Sequence, residues 1–189
     1  MKKQEIEIAI DLDSVLERAE KAKILLKALR AEFDLERFEF TKKIRIAPLE
    51  VPHSHPVLTL NTQYVSGPEE SQLKFLSAYL HEQFHWALED YPKTELEDLL
   101  AMLRGKYPNF HRAAPLGAED EASSYLHLIV NWLELNAMAS LIGIGQARRL
   151  VLEFHHYRHI YQTVAEDYED LNVLYRHSRL IPFVSIVGG

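Results

Sequence analysis

Ala78-Tyr79-Leu80-His81-Glu82-Gln83-Phe84-His85-Trp86-Ala87 is a helix-compatible stretch whose only charged residue stands beside two histidines. Residues four apart on an α-helix are separated by about 40° around the axis and one turn along it. His81 and His85 therefore present their imidazoles to one point, and two such nitrogens can hold a divalent metal ion. Glu82 lies about 60° from His85 in projection. From there its carboxylate reaches a water in an open metal position and can take that water's proton. A His-Glu-x-x-His match arises by chance on the order of 0.05 times in a chain of this composition. Ser66-Gly67-Pro68-Glu69-Glu70 supplies a helix start, with Ser66 as cap, Pro68 in the first turn and two glutamates suited to the helix dipole. The pattern predicts a helix over 68–89.

The rest of the composition narrows the chemistry. The chain has 189 residues, 10 histidines and no cysteine, so metal ligands must come from His and carboxylates. A disulfide framework, a thiolate site and a Cys nucleophile are excluded. Apolar residues at 47% and charged residues at 26% are ordinary globular values. The net charge of −7 argues against a nucleic-acid partner. The N-terminal MKKQEIEIAIDLDSVLERAEKAK turns acidic after two lysines and lacks the apolar run of a signal peptide. Ser123–Ala147 is long enough to span a bilayer, but His127, Asn131 and Glu134 interrupt it. A buried helix with one polar stripe is the expectation there. No membrane association and a cytoplasmic location follow as expectations.

Working outward from the motif, Asp13–Phe33 has helical periodicity, with Asp11 or Asp13 as its cap. Phe38–Phe40, Lys43–Ala47 and Val57–Val65 alternate as strands do, separated by the loop containing Pro48, Pro52 and Pro56. After the motif helix come predicted helices over 94–103, 118–141 and 146–165. Gly143 and Gly145 break the last two apart, and the tail is unassigned. Strands and helices are segregated, so the expected class is α+β: a small antiparallel sheet followed by a mostly helical region within one domain.

On these residues the chain resembles the zincin metallopeptidases. AYLHEQFHWA fits the extended zincin helix, and Val57–Val65 stands where that clan places an edge strand along which a peptide substrate lies. The resemblance covers residues 38–141, leaving an N-terminal helix in 1–37 and a C-terminal helical region in 142–189. No third histidine follows His85 at metzincin spacing. Gly117-Ala118-Glu119-Asp120-Glu121-Ala122-Ser123-Ser124 is similar to the glutamate helix of thermolysin-like gluzincins, matching at Gly117, Ala118, Glu121, Ala122 and Ser124. That similarity implies Glu121 as the third zinc ligand; Tyr125 stands where the family has an orienting Asp. The alternative is His127, which shares a polar stripe with Asp120, Asn131 and Glu134. In that case Glu134 orients His127, and Glu134 is itself a third candidate ligand. The resemblance implies a zinc-dependent peptidase acting on peptide or protein, with Glu82 as general base.

Two other classes compete. A zincin-like protein without catalysis would bind metal or a partner only. A ferritin-like di-iron bundle would use Glu82-x-x-His85 and Glu153-x-x-His156, with Glu17 or Glu20 and Glu134. Candidates for stabilising an oxyanion are His155, His156, His159, His177 and several tyrosines. His53 and His55 sit among prolines in a loop that can border the site.

Overall fold

The structure is a computed structural model that describes residues 5–10, 16–176, 178 and 180. The expected caps Asp11 and Asp13 lie outside these residues. Three strands and seven α-helices follow in the order β1 (Glu7–Ile10), α1 (Leu16–Glu32), β2 (Lys43–Ile46), β3 (Leu58–Leu60), α2 (Glu69–Glu89), α3 (Lys93–Lys106), α4 (Glu121–Ile142), α5 (Ile144–Val151), α6 (Arg158–Glu166) and α7 (Tyr168–Tyr175). This is an α+β chain. It groups into two compact units, Met1–Ala87 and Leu88–Gly189, with the boundary in the last turn of α2.

In the first unit the sheet corrects the sequence reading. Its order is β1-β2-β3 and both pairings are parallel, not antiparallel. Ile8 pairs with Ile44, and Ile44 with Leu58. The parallel sense follows from the connections, because α1 crosses between β1 and β2 and residues 47–57 return the chain between β2 and β3. β1 belongs to a segment assigned only to an N-terminal helix. Phe38–Phe40 is not a strand: Glu36–Phe38 forms a short 3-10 helix. β3 stops at Leu60 rather than Val65, since the Asn61 side chain accepts from the Gln63 N–H at 3.0 Å and turns the chain. The outer side of β3 is also occupied at Thr59, which exchanges backbone hydrogen bonds of 2.8 and 3.1 Å with His53.

Gln83, inside the His-Glu-x-x-His motif, ties α2 to the segment before β2. Its side chain is fully buried. Oε1 accepts from the N–H groups of Phe40 and Thr41 at 2.8 and 2.9 Å, and Nε2 donates to Thr41 O and Tyr79 Oη at 2.9 and 3.0 Å. Tyr79 donates to Glu39, which holds Arg30 through two oxygens at 2.5 and 2.8 Å. Burial, then the Glu39 carboxylate, raises the Tyr79 pKa far above the ordinary phenol value, so its hydroxyl stays a donor. Phe38 and Phe40 pack on Phe84 at 6.1 and 5.9 Å between ring centroids.

In the second unit α4 is the central element, packed by α3, α5 and α6. From Tyr125 to Ala139 all but one of its residues are buried. A helix buried all round is apolar all round, which explains its membrane-like composition. Among the described residues no helix is long and apolar enough to cross a membrane. Several polar groups of α4 are partnered: Trp132 Nε1 donates to Asn172 at 2.9 Å, and Tyr168 Oη donates to Asn136 at 2.7 Å, whereas the buried Asn131 amide has no hydrogen-bond partner among the described residues. α4 ends at Gly143, whose φ of 83° suits a residue without a Cβ. The helix expected over 146–165 is two helices. Tyr157 has φ 56° and its N–H bonds to Pro115 O, so the helix cannot run through it.

Gln83→Ala strands the Phe40 and Thr41 N–H groups. A stability loss of about 2–4 kcal/mol is expected in urea unfolding. A loss within about 0.5 kcal/mol, the range of surface substitutions, would show that the tie contributes little.

Candidate metal centre

α2 buries His81 and Glu82, each at 6% exposure, and leaves His85 half-buried. The helical spacing brings the imidazoles together as the sequence predicts. His81 Nε2 and His85 Nε2 lie 3.3 Å apart, with the rings inclined at 63°. Two nitrogens bound to one tetrahedral zinc ion at about 2.0–2.1 Å are themselves about 3.3–3.4 Å apart. The pair thus matches one edge of such a site as it stands.

His127 is the other candidate histidine. It is buried on α4, and its Nδ1 lies 2.7 Å from the backbone oxygen of Ser123, one turn earlier. A carbonyl can only accept, so Nδ1 carries a proton and donates it. Metal-binding imidazoles are oriented in this way by their second nitrogen. The Ser123 hydroxyl adds a contact to Nδ1 at 3.3 Å, and the Tyr157 ring covers the imidazole at 4.2 Å between centroids. His81, His85 and His127 each offer a ligand atom within 4.8 Å of the other two. They form the one group of three or more potential ligands among the described residues. The donor set fits zinc: three imidazoles, with a buried carboxylate next to one of them in the chain.

Glu121, the expected third ligand, is not in this group. It is the exposed first residue of α4, where a carboxylate complements the helix dipole. The residues that carried the gluzincin similarity have local tasks. A Cβ on Gly117 would meet Arg112 O at 2.1 Å, so only glycine fits. Asp120 caps α4 by accepting from Ser123 N at 2.7 Å. Ser124 Oγ donates to Asp120 O and lies 2.9 Å from His111 Nδ1. Glu134 is also outside the group; fully buried, it accepts from Tyr161 Oη at 2.7 Å. Of the polar stripe on α4, His127, Asn131 and Glu134 all face the interior.

The remaining candidates are dispersed. Glu153, His155 and His156 are exposed in the turn between α5 and α6, so Glu153-x-x-His156 has no helix to align it. Glu17 and Glu20 are exposed on α1, with Glu17 paired to Lys21 at 2.8 Å. His159 packs against Phe110, and burial, followed by the nearby Arg112 charge, lowers its pKa. His177 lies outside the described residues. The proline-rich loop does approach α2: His55 stacks on Trp86 at 4.3 Å, and Trp86 Nε1 donates to Ser54 O at 2.9 Å. Trp86 directly follows His85, so this loop flanks the histidine pair. Tyr157 is a contact the sequence reading missed. Its αL backbone leaves no mark in the amino-acid pattern, because a tyrosine is the wrong residue type to announce one.

Comparison with protein-family models, curated proteins and solved structures finds no match to this chain.

Replacing His127 and Glu121 separately distinguishes the two assignments. His127→Ala is expected to weaken zinc binding by more than the roughly 10–100-fold cost of losing an outer-shell partner, and Glu121→Ala to leave it unchanged. Competition titration against a chromogenic chelator measures both. The reverse pattern would restore Glu121.

Proposed function

We propose that the chain is a zinc-dependent hydrolase, with a peptide or protein as its substrate and the ion held by His81, His85 and His127. The observation that carries this reading is the 3.3 Å approach of the His81 and His85 Nε2 atoms on α2. The orientation of the buried His127 by its Nδ1–H bond to Ser123 O supports it.

A bound zinc ion would supply Lewis acidity, polarising a carbonyl and lowering the pKa of water. The chain's residues do the remaining work. Glu82 accepts a proton from water as its oxygen bonds to the amide carbon, and passes that proton to the nitrogen as the C–N bond breaks. The low exposure of Glu82 keeps this carboxylate from full hydration, which favours its action as a base. Ser123 O accepts from the His127 Nδ1–H and so orients that imidazole. The choice of a peptide bond over another amide rests on the resemblance of the motif helix to zincins.

Two measurements test the proposal. Metal analysis of the purified chain is expected to give about one zinc per chain; two irons would favour the di-iron reading instead. Glu82→Gln is expected to keep the metal and lower hydrolysis of a generic peptide library by about 10²–10⁴-fold, the usual worth of general-base catalysis. Full activity in Glu82→Gln would sink the mechanism. Zinc binding without hydrolysis in the unaltered chain would leave a metal-binding protein.

A further inference from the structure

Tyr157 is held in a conformation that tyrosine rarely adopts. Its φ of 56° and ψ of 25° lie in the left-handed region, where a non-glycine side chain costs roughly 1–2 kcal/mol. The surrounding structure over-determines it. The Tyr157 N–H donates to Pro115 O at 2.8 Å, and two residues later His159 N–H donates to Leu116 O at 2.8 Å. These bonds clamp the start of α6 to the loop that leads into α4. The same clamp includes Gly117, whose close approach to Arg112 O admits no Cβ. Tyr157 O in turn accepts from Tyr161 N–H at 2.9 Å, starting α6.

The result of this strain is local and specific. The Tyr157 ring lies on the His127 imidazole, with centroids 4.2 Å apart and planes inclined by 31°. His127 is thereby fixed twice, in its plane by the Nδ1–H bond to Ser123 O and across its face by the phenol ring. Backbone strain retained at a position like this marks a structure that needs the side chain there, since glycine would adopt the same backbone without cost.

We infer that Tyr157 is a positioning residue for the metal centre: its ring, held by a left-handed backbone, sets the His127 imidazole so that Nε2 meets the ion. This inference rests on the proposed assignment of His127 as a zinc ligand. The ring is the active part, so the hydroxyl is not required for metal binding.

The test compares Tyr157→Gly, Tyr157→Phe and the unaltered chain. Three readouts are used: zinc affinity by chelator competition, the visible spectrum of the cobalt-substituted protein, and thermal unfolding of the metal-free form. Tyr157→Gly removes the ring and the strain together. It is expected to unfold within a few degrees of the unaltered chain, yet to bind zinc about tenfold more weakly and to shift the cobalt bands. Tyr157→Phe keeps the ring and is expected to match the unaltered chain in affinity and spectrum. Unchanged zinc affinity and cobalt bands in Tyr157→Gly would overturn the inference, as would an equal loss in Tyr157→Phe. If Tyr157→Gly fails to fold, the Phe variant and a Tyr157→Asn variant, which tolerates the same backbone, carry the comparison. Absence of zinc binding by the unaltered chain would defeat the metal assignment itself, a result distinct from either of these.

Discussion

Three consecutive polar side chains on α2, His81, Glu82 and Gln83, are all buried, and a buried polar group without a partner costs about 1–3 kcal/mol. Much of the first unit can be understood as the answer to that constraint. Gln83 satisfies both ends of its amide on the backbone of Phe40 and Thr41 and on Tyr79. This holds the segment before β2 against the helix, and so helps to place the sheet. Tyr79 passes the network on to Glu39 and Arg30. The Arg30 pKa is raised chiefly by its hydrogen bonds to Glu39, which is what a retained ion pair requires. His81 and His85 turn their Nε2 atoms toward each other. One helix therefore serves the fold through one motif position and the candidate chemistry through its neighbours.

α4 meets the same constraint in the second unit. Three of its interior polar side chains are partnered by residues from later in the chain, with Tyr168 on Asn136, Tyr161 on Glu134 and Trp132 on Asn172, while the Asn131 amide is left without a hydrogen bond among the described residues. His127 differs from these. Its Nδ1 turns back to its own helix at Ser123 O, and Tyr157 covers its face. Glu134, by contrast, takes a hydrogen bond from Tyr161 and sits outside the histidine group.

Legibility in the sequence followed the strength of the local signal. The bounds of α2 were readable to within a residue, because Pro68 and the two glutamates mark its start and the motif has helical spacing. The sheet was harder. Ile6, Ile8 and Ile10 alternate into and along β1, but the run is short and the periodic helix that follows dominates the pattern of residues 1–37. The parallel sense of the strand is set by α1 crossing between the strands, a property of the connection and not of the strand residues. Phe38–Phe40 alternates like a strand, yet its backbone is engaged by a side chain 43 positions away. The similarity at residues 117–124 drew attention to Glu121, whereas Gly117, Asp120 and Ser124 meet steric and capping needs at the start of α4.

By itself the sequence determined what depends on nearest neighbours along the chain. That includes the motif helix, the pairing of His81 with His85 one turn on, the absence of thiolate ligands, and the long apolar helix with its polar stripe. Only the tertiary structure decided the direction of that stripe, the parallel sense of the strand pairings and which of the candidate ligands are buried. Helical periodicity puts residues on a face but does not say what the face meets. His127 and Glu121 are both plausible ligands along the chain. They are separated by burial, by the proton that Ser123 O fixes on Nδ1 and by the ring of Tyr157, and each of these depends on how α4 packs and not on its sequence pattern.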